Sequence, residues 1–235
     1  MTTPIKTIAL KEFKDYFISP IAYIVISLFL IVTGWFFFST FFIYGRADLR
    51  DFFTLLPMTF SFFIPAVTMR MFAEEKNVGS YESLLTMPVS FTHIALGKFF
   101  AASAFATAML LPTLSYPLFI SFIGNVDPGP VAGGYIGAVL LGGAYCSIGL
   151  FASALTRNQI IAFIIGCAIC FTLTIIDRML FFVPEGLVPV VEYLGANAHF
   201  TNISKGIIDS RDLIYFASVI FIFIFSTDIA MKEKN

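Results

Sequence analysis

The stretch MRMFAEEKNVGSYESLLTMPVSFTHIALGK, residues 69–98, is the longest polar island on the more basic side of an otherwise apolar chain. Long hydrophobic runs precede and follow it, so it reads as a loop between two membrane spans. It is much longer than a simple reversal of direction requires. It carries Arg70, Glu74, Glu75, Lys76, Glu82 and Lys98, and it has room for a short helix. Gly79 breaks the preceding segment, and Ser80 is a fair N-cap. Glu82 then falls in the first turn, where the helix dipole favours negative charge. Tyr81, Leu84, Leu85 and Pro88 recur at i, i+3, i+4 and i+7, which makes one apolar stripe. Pro88 forces Met87 away from the helical region and ends the element. The stripe faces outward, and an exposed apolar surface invites an occupant. One occupant is the headgroup layer, but helices that lie there are usually rich in Lys and Arg. Glu74, Glu75 and Glu82 make this one mostly acidic, so a protein partner fits better.

Composition makes the membrane assignment general. The 235 residues are 58% hydrophobic and 12% charged, with mean hydropathy +0.90 and thirty Phe. A soluble domain is nearer half apolar and a quarter charged, so this is an all-α integral membrane protein. A net charge of −1 argues against a nucleic-acid partner. Cys146, Cys167 and Cys170 all lie inside apolar runs. The last two spell CxxC, but a metal or redox site needs accessible, polar-supported thiolates, and small packing residues need no such role. No cleavable signal peptide is evident, because the first apolar run is too long and follows an amphipathic segment.

In chain order, residues 4–19 place Ile5, Ile8, Ala9, Phe13, Tyr16 and Phe17 on one helical face and Lys11, Lys14 and Asp15 opposite. Glu12 intrudes on the apolar arc. This pattern predicts a helix lying in the membrane interface. Six spans follow, at about 20–44, 52–69, 99–122, 131–155, 160–182 and 213–230, each near the length a bilayer requires. Pro57, Pro65, Pro112 and Pro117 fall inside spans, where neighbouring helices can satisfy the freed carbonyls. Gly133 and Gly137 form GxxxG, and Ala138, Gly142 and Cys146 continue a ridge of small residues suited to close helix packing. Residues 183–212 form a second long connection with room for short helices. Six spans put both termini on one side. Nine Lys and Arg lie on that side (Lys6, Lys11, Lys14, Arg70, Lys76, Lys98, Arg157, Lys232, Lys234) against five on the other. The positive side is cytoplasmic, and with it the termini and the 70–98 loop.

Several chemistries are missing. There is no GxxxxGK[ST] phosphate loop, and no cluster suggests a metal or other cofactor. His93 and His199 read as solvated or interfacial residues. Asp177, Arg178 and Asp228 fall near span ends, leaving the span interiors essentially without ionisable groups. Proton- and ion-coupled carriers place such groups at depth, and selective channels need charged rings or filter motifs. Both classes are disfavoured.

The order of elements, with KEFKDYFISPIAY (11–23), AEEKNVGSYESLLTMPVS (73–90), GK (97–98) and HFTNISKGIIDSRDLIYF (199–216), resembles the permease subunit of type-2 ABC transporters. Within that family it looks like the gliding-motility-associated permeases, although gliding itself does not follow. The resemblance covers nearly the whole chain and implies a single transmembrane permease domain, residues 1–235, in the bacterial inner membrane. It implies that the loop between spans two and three carries a coupling helix docked on a separate ATPase subunit. Carried over by position, Gly79, Tyr81, Glu82, Leu84, Leu85 and Pro88 would form that contact. It also implies a second permease subunit, identical or related, an export direction and no catalysis by this chain. The competing reading is a membrane-embedded assembly protein whose loop recruits some other partner.

Overall fold

The computed structural model describes residues 4–44, 48–79, 90–124, 126–182, 184, 186, 188–207 and 209–232. Among these residues there is no strand, and six helices are long and apolar enough to cross a membrane. The protein is an all-α integral membrane protein.

Helix α1 (Pro4–Ile18) leads through Ser19 into the first span, α2 (Pro20–Tyr44). Helix α3 (Arg50–Thr68) contains Pro57 and Pro65, and after Met69 the chain continues as α4 (Arg70–Val78). Helix α5 (Phe91–Leu110) passes through a 3-10 turn at Leu111–Leu114, which holds Pro112, into α6 (Ser115–Ser121). Then come α7 (Pro128–Leu155) and α8 (Gln159–Ile175), a 3-10 segment Ile176–Phe182, the short helices α9 (Val188–Leu194) and α10 (Ala196–Ser204), and the last span, α11 (Ser210–Lys232). Helix starts follow their capping chemistry. Ser90 caps α5, Asp127 followed by Pro128 caps α7, and the Asn158 side chain accepts from the amides of Ile160 and Ile161, each satisfying donors that the first turn leaves orphaned.

Glycine makes α7 the hub. Helices α3, α5, α8, α10 and α11 all pack on it, and most of its span is buried inside the protein, whereas α2, α8 and α11 leave most of theirs outward. Lipid tails are as apolar as leucine, so no hydrophobic drive pulls helices together in a bilayer. Close contact and dispersion do, and small residues on α7 allow that contact. Gly134 sits against the ring of Phe53, and Gly149 against Thr68. Phenylalanines fill the wider gaps: Phe29 of α2 meets Phe60 and Phe63 of α3, and Phe37 stacks on Tyr116 of α6 at 4.8 Å between ring centroids.

The polar island is more helical than its sequence suggests. Helix α4 extends the second span to Val78 and α5 begins at Phe91, so the connection between them shrinks to residues 79–90. Burial of one face of each extension drives this. Met71, Phe72 and Ala73 are buried on α4, as are Ile94, Ala95 and Lys98 on α5.

The start of α11 is set by Asp209. Its carboxylate accepts from the amide of Arg211 at 3.0 Å and from the hydroxyl of Ser210 at 3.3 Å. The Arg211 amide hydrogen bond, foremost, holds the exposed Asp209 carboxyl below the usual carboxylate range. A depressed pKa contributes stability above the unfolded value, near pH 4, and loses it as pH falls through the lower folded value. Asp209→Ala should therefore speed hydrogen exchange at the Arg211 amide at neutral pH, with wild type and variant converging only as pH falls through the lowered folded value. Equal protection of that amide in both proteins at neutral pH would rule the cap out.

Candidate functional site

Lys98 is the eighth residue of α5 and is almost wholly buried, at 2% exposure. An ammonium has three donors and no acceptor, and here each donor has an acceptor. Nζ reaches Glu12 Oε1 of α1 at 2.9 Å, Glu75 Oε1 of α4 at 2.7 Å and the carbonyl of Met71 at 2.9 Å. The ring of Phe72 lies 5.2 Å away, within the range where a cation is attracted to an aromatic face. One cation thus joins three helices, two of them flanking the 79–90 connection.

Each arm of this node is itself fixed. The neighbouring Gly97 lets α1 close on α5, since a Cβ there would come within 2.7 Å of Ile8. Tyr16 of α1 stacks on Phe105 of α5 and donates to the carbonyl of Val67 on α3. Helix α4 is held by α7. The Ser153 hydroxyl accepts from the amides of Phe72 and Ala73 at 3.0 Å and donates to the carbonyl of Met69 at 2.8 Å. It acts as a cap supplied by another helix, and it stabilises the break between α3 and α4. Lys76 donates to the carbonyl of Ala154, and Arg70 pairs with Glu74 one turn on, at 2.7 Å. The start of α5 is tied to the end of α11, where Thr92 donates to Asp228 at 3.1 Å and Lys232 pairs with the other oxygen of Asp228. Beside the node, between α1, α2, α3, α4 and α5, lies a cavity of about 300 Å³.

Gly79, taken from sequence as a contact residue, closes α4 in the left-handed conformation at φ 80°, a standard glycine C-cap. Tyr81, Glu82, Leu84, Leu85 and Pro88, the rest of that set, lie outside the described residues. The small-residue ridge is buried along its length. Gly133 and Gly137 face Phe200, Ile203 and Gly206 at and just beyond α10, while Gly142 faces Phe60 of α3 and Ala106 of α5. Gly133, Gly137 and Gly142 therefore meet different elements, and Ala138 and Cys146 are buried beside them.

Buried charge sits near helix ends: Lys98 on α5 and Asp212 and Asp228 on α11 are all buried. One expectation is corrected. His199 is not solvated. It is buried at the opposite end of the bundle, with Nδ1 2.6 Å from Asp212 Oδ1 and Nε2 2.9 Å from the carbonyl of Tyr193. That carbonyl can only accept, so Nε2 carries a proton. The ring stacks on Tyr215 at 4.1 Å, and the Tyr215 hydroxyl donates to the carbonyl of Leu194. Helices α9 and α10 are thereby pinned to α11. His93, the other histidine, is half-buried and hydrogen-bonded to Ser90.

Sequence reading missed the node, and one signal could have found it. Glu12 breaks the apolar arc of α1, and an acid on a buried face requires a partner. Lys98, at the edge of an apolar run, was the cation at hand. Among the described residues no group of three or more His, Cys, Asp or Glu could hold a metal ion.

No curated protein matches the chain by sequence. The description of the ABC-2 family transporter proteins, by contrast, matches residues 6–187, from the first helix through the fifth span and well over half the chain. With six spans around a glycine-rich hub and a saturated charge node at the feet of the second and third, the chain belongs to the ABC-2 transporter family.

Proposed function

We propose that this chain is the permease subunit of an ATP-driven exporter of the bacterial inner membrane, with both termini cytoplasmic. It works beside a second permease, identical or related, and does no chemistry of its own. A separate ATPase docks on the 79–90 connection through Gly79, Tyr81, Glu82, Leu84, Leu85 and Pro88. The motif order of the gliding-motility-associated permeases supports the branch, and the excess of Lys and Arg supports the orientation. The carrying observation is the Lys98 node. It binds both helices that flank the connection to α1, so a push on the loop moves three helices together.

The test is the complex. Leu84→Asp puts a charge into a desolvated contact, which costs several kcal/mol when unpaired. We expect it to abolish co-purification of an ATPase subunit while membrane insertion survives. A single cysteine at Asn77 should resist an impermeant thiol reagent in intact cells. If the variant still assembles a complex with normal ATP turnover, docking lies elsewhere. A wild-type complex with a partner that hydrolyses no ATP would make the chain an assembly protein instead.

A further inference from the structure

The 300 Å³ cavity beside the node has two unlike walls. One is apolar, built from Ile21 and Val25 at the foot of α2 and Val67 near the end of α3. The other is charged, with Lys11 and Asp15 from α1 and Arg70 from α4. The walls meet where α2 begins and α3 ends, at Ser19–Pro20 and Thr68–Arg70. That is the depth at which a lipid changes from tail to head. From the mouth, Ile21, Ile24 and Leu28 continue along α2 at i, i+3 and i+7, exposed by 42%, 56% and 50%, as a track for an acyl chain.

The charges select the head. Arg70 uses two of its five donors on Glu74, and the rest of the guanidinium can bind a phosphate. Lys11 adds a second cation, while Lys98 is already saturated by its three acceptors. Four carboxylates share the wall with them, from Glu12, Asp15, Glu74 and Glu75. Asp15 is exposed and makes no side-chain hydrogen bond or ion pair among the described residues. An anionic head whose only charge is its phosphate would satisfy Arg70 but leave Asp15 without a cation. An ammonium two carbons from the phosphate would satisfy both.

From this geometry we propose that the cavity is a headgroup site for a zwitterionic glycerophospholipid. Its phosphate lies on Arg70 and Lys11, its ammonium on Asp15, and one tail runs along α2. The site depends on the membrane position of α1 and α2 and not on an ATPase partner.

The test uses the purified full-length chain in detergent, titrated with phosphatidylethanolamine or phosphatidylglycerol and read by native mass spectrometry. Wild type should hold phosphatidylethanolamine at least tenfold more tightly. Asp15→Asn, at an exposed position, should erase that preference while leaving phosphatidylglycerol binding intact. Arg70→Gln should weaken retention of both lipids. Equal affinity of wild type for the two lipids, or indifference to both substitutions, would overturn the proposal. Glycerophosphoethanolamine, the same head without tails, should compete poorly. Competition at equal concentration would place a soluble metabolite in the cavity and overturn the lipid assignment.

Discussion

Lys98→Met should be the most damaging single substitution at the loop end of the bundle. It removes one cation and leaves Glu12 and Glu75 facing each other in a poorly solvated space. Removing one partner from a buried pair costs about 3–5 kcal/mol. The two glutamates retain 18% and 22% side-chain exposure, so water relieves part of the strain and the lower end of that range applies. In thermal unfolding of the detergent-solubilised protein, the transition should fall sharply, and protease should reach α1 first. Adding Glu12→Gln and Glu75→Gln to Lys98→Met should restore most of the lost stability, because it removes two like charges from a poorly solvated space. The restored protein separates structure from coupling. It should bind its ATPase and yet transport poorly, because α1, α4 and α5 no longer move as one body. A triple variant as unstable as Lys98→Met alone would mean that Lys98 acts by packing, not by charge.

How far the sequence carries depends on whether a feature is periodic or a meeting of distant residues. The spans were legible because twenty apolar residues leave a bilayer-sized mark on any stretch of chain. The caps at Asn158 and Asp127 follow local chemistry of the same kind. The extension of α3 into α4 was not legible. Arg70, Glu74, Glu75 and Lys76 look like a loop until Ser153, on another helix, supplies the hydroxyl that caps them. The node was half legible, through Glu12 alone. The His199–Asp212 pair was not legible at all, because its partners sit on separate helices and neither residue breaks a pattern. Composition likewise marks α7 as a packing helix but cannot say that Gly133 and Gly137 receive α10 while Gly142 receives α3 and α5.

That difference in partners gives substitutions along one ridge opposite signs. A Cβ on Gly133 would lie 2.4 Å from the carbonyl oxygen of Ile203 and 3.0 Å from the Cα of Gly206. Both are backbone atoms and cannot swing aside. Overpacking of this kind costs typically about 1–3 kcal/mol, so Gly133→Ala should destabilise the protein and push α10 off α7. Since α10 carries His199, the shift should also strain its contact with Asp212 and open residues 195–209 to protease. Gly142 has the same chemistry and a different neighbourhood. Its Cβ would meet Phe60 at 3.5 Å and Ala106 at 3.7 Å, ordinary contact distances. There the gain from replacing glycine in a helix interior, about 0.8–1 kcal/mol, stands unopposed, so Gly142→Ala should be neutral or stabilising. Gly137, with Ile203 and Phe200 side chains at 3.2 Å, should fall between them. Thermal unfolding of the three alanine variants should order them Gly142, Gly137, Gly133 from most to least stable. A Gly133→Ala protein that melts with wild type would mean that α10 does not rest on α7 as closely as Ile203 and Gly206 place it.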